Sequence, residues 1–170
     1  MIRLRLCAWY VVALFVAVPM TSIASEPSDP ESAIRLMVRA NAEKDLPTLS
    51  RLMAHDADII SYGVAGRKYI GWTELEEGIR EEFVNSQKLE IPINELKVWT
   101  KGDLAWYAME VDYIRYVADG LDIKQTVLPM RETGVLERRN GQWQLLSWHE
   151  SFRFSGPLAS QPAASPSPAR

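Results

Sequence analysis

The sequence contains one cysteine and two histidines. The cysteine, Cys7, lies ahead of an N-terminal apolar run, so the rest of the chain has no thiol. No disulfide can staple such a fold, and thiol nucleophiles are excluded beyond residue 7. With His55 and His149 as the only imidazoles, no zinc-type ligand set can be assembled from the usual residues, and no metal is expected. Gly63-Val64-Ala65-Gly66 lacks the lysine and helix start of a phosphate loop. There is no Gly-x-Ser-x-Gly elbow to place a serine beside a histidine. No bound cofactor is expected. A net charge of −3 gives no general attraction for nucleic acid, and Arg138-Arg139 reads as a hairpin-end charge pair.

What is present at the N-terminus is a targeting pattern. Arg3 and Arg5 precede the uncharged run Ala8 to Val18, followed by Pro19 and the small-residue stretch Thr21-Ser22-Ile23-Ala24. Charge, apolar run and small-residue exit in that order predict a secretory signal peptide over 1–24, cleaved after Ala24. The run is shorter than the roughly 20 apolar residues that span a bilayer. The expectation is therefore export, to periplasm or medium, with no stable membrane insertion after cleavage. Residues 25–155 are then one domain, and the Pro/Ala/Ser-rich stretch 156–170 is a disordered tail.

Within the domain the hydrophobic period changes once. Ser28-Asp29-Pro30-Glu31 reads as a helix start, with Ser28 and Glu31 spaced as a capping box, and Ala33, Ile34, Met37, Val38 and Ala40 follow at helical spacing. Asp45 caps a second, short helix with Pro47 in its first turn, and His55-Asp56-Ala57-Asp58 breaks it. Runs 59–62 and 67–70 form a small hairpin. Thr73 and Glu76 predict the start of a third helix, striped by Leu75, Ile79 and Phe83. Four extended runs come next, at 89–100, 104–117, 123–138 and 142–154. Asp119-Gly120 and Asn140-Gly141 between them are strong hairpin signals.

Helices followed by an antiparallel meander give an α+β class, with three N-terminal helices packed on one face of a curved sheet. The last run carries apolar residues at both parities: Trp143, Leu145 and His149 on one face, and Leu146, Trp148 and Phe152 on the other. A sheet wet on one side alternates more cleanly. Either the sheet curls around its own core or another subunit covers its outer face.

Glu132-Thr133-Gly134-Val135-Leu136-Glu137-Arg138-Arg139-Asn140-Gly141-Gln142-Trp143, running on to Trp148-His149-Glu150-Ser151, resembles the end of SnoaL-like domains in the nuclear-transport-factor-2-like superfamily. It is also similar to the association domain of calcium/calmodulin-dependent kinases. The likeness spans about residues 30–154 and is carried by the last 25 or so. It implies a cone-shaped, cystatin-like α+β barrel around a pocket, and homodimerisation through the outer sheet face. It implies no single activity, because isomerases, dehydratases, cyclases and binders share the fold. Where the kinase domain presents two arginines to an anion, this chain has Gly134 and Glu150, which speaks against that ligand class. Where a ketosteroid isomerase carries its aspartate base, Ser61 or Tyr62 stands, and an unactivated tyrosine is a poor base at neutral pH.

His149 is the candidate catalytic residue, able to act as acid or base, or to bind a ligand. The alternative is a histidine buried among aromatics and satisfied by a carbonyl or by Ser147 or Ser151. Tyr62, Trp106, Glu110, Arg131 and His149 are the candidate pocket residues. Trp106, Glu110 and Asp112 share a parity on one strand, and Arg131 and Thr133 share one on the next. Facing inward they form a polar cluster; facing outward they are rim charges. Three functions follow as expectations. One is an exported protein binding a small, largely apolar molecule. Another is a cofactor-free isomerase, dehydratase or hydrolase using His149. The third is a non-catalytic interaction module whose cone is packed shut.

Overall fold

Aspartates open the first two helices. In the computed structural model, which describes residues 27–154, α1 spans Pro30–Ala42, and Asp29 accepts the Ser32 N–H at 2.9 Å. Proline at the first helical position makes the residue before it the cap, so Asp29 takes the place expected of Ser28. Glu31 pairs instead with Arg35 at 2.8 Å. α2 spans Leu46–Leu52, with Asp45 accepting the Thr48 N–H at 3.1 Å.

α3 spans Gly71–Asn85, starting two residues before the expected Thr73. Gly71 makes this possible. Its φ is 70° and its N–H donates to Ile59 at 2.8 Å. A Cβ there would sit 2.9 Å from the Ala57 carbonyl. Glu74, not Glu76, closes the first turn, accepting the Ile70 N–H at 2.8 Å. At its far end, the Lys44 ammonium donates to the carbonyls of Phe83 (3.0 Å), Ser86 and Gln87 (3.3 Å). A cation therefore lies against the negative end of the α3 dipole.

The strands are β1 (Ile60–Tyr62), β2 (Lys68–Ile70), β3 (Lys88–Glu90), β4 (Ile93–Lys101), β5 (Leu104–Asp119), β6 (Asp122–Arg139) and β7 (Gln142–Phe152). They form one curved sheet in the order β2-β1-β7-β6-β5-β3, with β4 also paired to β5. The run expected at 89–100 divides at Ile91-Pro92, because Pro92 has no N–H for the ladder. Asn140 and Gly141 have φ of 52° and 83°, the left-handed pair of a type I′ turn.

Alternate residues of the strands face the helices. Ala105, Tyr107, Met109 and Val111 of β5 are buried with Met130 and Leu136 of β6, packed on Ile34, Leu49 and Leu75 of the helices. Burying each large apolar side chain is worth about 1.5–3 kcal/mol, and no disulfide supplements this core. On β7 the alternation breaks: Leu136 pairs with Leu145 but Val135 pairs with Ser147, leaving Leu146 extra. A one-residue bulge reverses every side chain beyond it. Trp143 and Leu145 before it, and Trp148, Glu150 and Phe152 after it, consequently share the inner face. The apolar residues at both parities of this strand follow from the bulge.

Candidate functional site

The helices and the concave sheet enclose a cavity of about 590 Å³. Ile34 and Met37 of α1, Ile79 of α3, Met109 and Met130 of the sheet and Phe152 near its end give it apolar walls. Two glycines make room for aromatic rings beside it. A Cβ on Gly78 would lie 2.6 Å from the Tyr69 ring, and one on Gly134 would lie 2.6 Å from the Tyr107 ring.

Glu132 and Glu150 are direct cross-strand partners on β6 and β7, and both line the cavity. Tyr107, opposite Gly134, reaches over that glycine and donates its hydroxyl to Glu132 Oε1. The Val64 N–H donates to Glu150 Oε2 at 2.9 Å. Burial pushes the Glu132 carboxyl up to about 8, with the neighbouring Glu150 charge adding to the effect. Burial raises Glu150 as well, opposed by the Val64 hydrogen bond. Glu132 therefore holds its proton at neutral pH, kept there by burial and by the charge of Glu150. Burial and the Glu132 charge raise the Tyr107 phenol further still, so it remains a donor.

Two cations line the cavity, each with a carboxylate of its own: Arg67 pairs with Glu81 at 3.1 Å and Arg115 with Glu82 at 2.7 Å. Arg67 and Glu81 are exposed, so the cavity meets solvent at this rim.

None of the expected pocket residues lines the cavity. Tyr62, Trp106, Glu110, Arg131 and His149 lie on the opposite parity, toward the convex face. His149 is exposed, its ring edge-on to Tyr62 at 5.8 Å, so it is neither in the cavity nor buried. Trp106 stacks on Trp99 at 6.2 Å. Arg131 stands opposite Glu110 in register, but Glu110 takes Arg153 as its ion partner at 2.8 Å, and Asp112 shares that arginine at 2.9 Å. The breaker loop is pinned structurally: His55 stacks on Trp72 at 4.5 Å, and Asp56 pairs with Arg139. Among the described residues, no group of three or more His, Cys, Asp or Glu is placed to hold a metal ion.

The polar groups that do face the cavity were visible in the sequence as a motif but not as a site. Glu132 opens the Glu-Thr-Gly segment, and Gly134 and Glu150 lie in the stretches that carry the sequence resemblance. Tyr107 had no motif. What would have found them is the parity of β5 and β6 together with a bulge on β7.

The fold has close counterparts among solved structures. A candidate dehydratase of the NTF2-like family from Streptomyces avermitilis superposes with a TM-score of 0.66 at 18% identity, covering 74% of this chain and 94% of that one. An NTF2-like superfamily protein from Salmonella enterica gives 0.66 at 12% identity, over 77% and 93%. A candidate calcium/calmodulin-dependent protein kinase II association domain from Xanthomonas campestris gives 0.60 at 19%, over 82% and 100%. At such identities the likeness is one of fold. No curated protein matches the chain. Residues 31–155, most of the chain and all its described strands, match the family model of the SnoaL-like domain, and the chain belongs to that family.

Proposed function

We propose that this protein binds a small, largely apolar molecule in its cone cavity, and that it does so as an exported homodimer. The cavity carries the reading: about 590 Å³ lies within the range of small-molecule sites, and apolar walls with a few convergent polar groups are their usual make-up. A cone packed shut would leave no such space. Export is supported by the charge, apolar and small-residue order of residues 3–24. Dimerisation is supported by the aromatic residues left on the convex face, where Trp99 and Trp106 are each more than 40% exposed.

The enzyme reading favoured by the likeness to a candidate dehydratase shifts its residues. His149 faces away from the cavity, so any proton transfer inside it falls to Glu132, Glu150 and Tyr107. Their geometry serves binding equally, and binding needs no further assumption.

The test is fluorescence titration with the neutral apolar dye N-phenyl-1-naphthylamine. Saturable binding is expected at one site per chain. It should be lost in Val38→Trp, which fills the cavity from α1, with the far-ultraviolet spectrum unchanged. Absence of saturable binding to the wild-type protein overturns the reading.

A further inference from the structure

The cavity contains an imbalance that its own residues do not correct. Glu132 and Glu150 face it side by side across adjacent strands. Everything else that faces the pair is neutral or committed elsewhere. β5 contributes the Tyr107 and Tyr113 phenols, and β2 contributes Tyr69. Arg115 of β5 is held by Glu82 of α3, and Arg67 beside β2 is held by Glu81. The adjacent basic residues of the sheet, Arg131 and His149, are exposed on the convex side, and Arg153 is engaged by Glu110 and Asp112. Among the described residues, the Tyr107 phenol donates to Glu132, and the Val64 N–H and the Trp148 side chain donate to Glu150, which leaves acceptor capacity on both carboxyls.

Two carboxyls without a cation, at the polar end of an apolar cavity, favour an occupant that brings the cation. We propose that the ligand is an apolar amine, seated with its ammonium group between Glu132 and Glu150 and its hydrocarbon body against the Met37, Met109 and Met130 wall. The proposal deepens the binding reading above and rests on it. A primary or secondary ammonium supplies two or three N–H donors to the two carboxylates, as charge-assisted hydrogen bonds. The rings of Tyr107, Tyr69 and Trp148 beside the pair add electron-rich faces that suit a desolvated cation. A neutral or anionic ligand would leave at least one carboxyl buried without compensation, or add a like charge.

The chemistry fixes a proton balance. The free pair keeps the Glu132 proton at neutral pH, whereas the ammonium complex needs both carboxylates ionised. Binding therefore releases a proton; affinity rises with pH up to about 8, where the free protein has itself lost the Glu132 proton, and falls once the amine deprotonates near 10.

The experiment compares matched probes, 2-(naphthalen-2-yl)ethylamine and 2-(naphthalen-2-yl)ethanol, by isothermal calorimetry and by displacement of N-phenyl-1-naphthylamine. Wild-type protein at pH 7.5 should bind the amine at least tenfold more tightly than the alcohol. It should release close to one proton per amine, read from the buffer dependence of the heat. Glu132→Gln/Glu150→Gln should lose the preference but still bind the dye. If the dye binds and alcohol and amine compete equally, or the alcohol wins, the amine assignment is overturned and the apolar-cavity reading stands. If neither the dye nor either probe binds, both fall together.

Discussion

Tyr107 lies across Gly134, its cross-strand partner, so closely that a Cβ on the glycine would stand 2.6 Å from the ring and 2.7 Å from the hydroxyl oxygen. The absence of a side chain at 134 is what lets the phenol reach Glu132 two residues away on the same strand.

Gly134→Ala should therefore disturb both stability and the carboxyl pair. Overpacking of this kind costs about 1–3 kcal/mol, read as a Tm several degrees lower. In a Tyr107→Ala background the same glycine change should cost little, since the ring it displaces is gone. A double-mutant cycle on thermal unfolding measures this coupling, and additive effects would show that the glycine matters for some other reason.

The carboxyl pair makes stability depend on pH in a definite direction. Glu132 is raised from 4.5 to about 8 in the folded protein, so the folded state retains a proton that the unfolded chain loses. Its contribution is full below about 4.5, and stability falls as pH rises through 8. Glu132→Gln removes that dependence at nearly constant shape. The variant should match the wild type near pH 4 and exceed it by several degrees in Tm at pH 8.5, on the order of a few kcal/mol. Equal pH profiles for the two proteins would show that Glu132 ionises normally.

The fold was legible because its signals are local. Asp45, Asn140-Gly141 and the switch of period after residue 88 act within a few residues, and the structure follows them. The site was not legible, because it depends on the single extra residue at Leu146. Strict alternation along β7 groups His149 with Trp143 and Leu145; the bulge exchanges it for Trp148 and Glu150. Nothing in the local composition of Gln142–Phe152 marks the bulge, which is fixed by long-range pairing with β6. His149→Ala should accordingly leave dye binding unchanged and shift stability by no more than about 0.5 kcal/mol, as exposed positions do.

Lys44 joins the α1–α2 connection to the end of α3, and it occupies a left-handed conformation with φ of 58°. Its two contributions oppose each other, since the backbone is strained for a side chain while the ammonium satisfies helix-end carbonyls. Lys44→Met retains the strain and loses the donors, and should cost about 1–2 kcal/mol. Lys44→Asn, which tolerates this backbone better, should cost less. Chemical denaturation of the three proteins orders them; a Met variant as stable as wild type would mean that water serves those carbonyls equally well.

The convex face makes its own prediction. Trp99, Trp106 and Val135 are neighbours in register on adjacent strands, and all three remain at least 40% exposed. An apolar row across three strands of a sheet face, followed on β7 by Ser147, is costly to leave in water and fits a second copy of itself across a two-fold axis. Native mass spectrometry on exported protein should give twice the chain mass, and Trp106→Glu should give the single chain with its Tm otherwise retained, because the ring lies outside the core. The denatured mass of the same sample should correspond to cleavage after Ala24. A monomeric wild-type protein would remove the dimer while leaving the cavity untouched, since the lining and the convex row lie on opposite faces of the same strands.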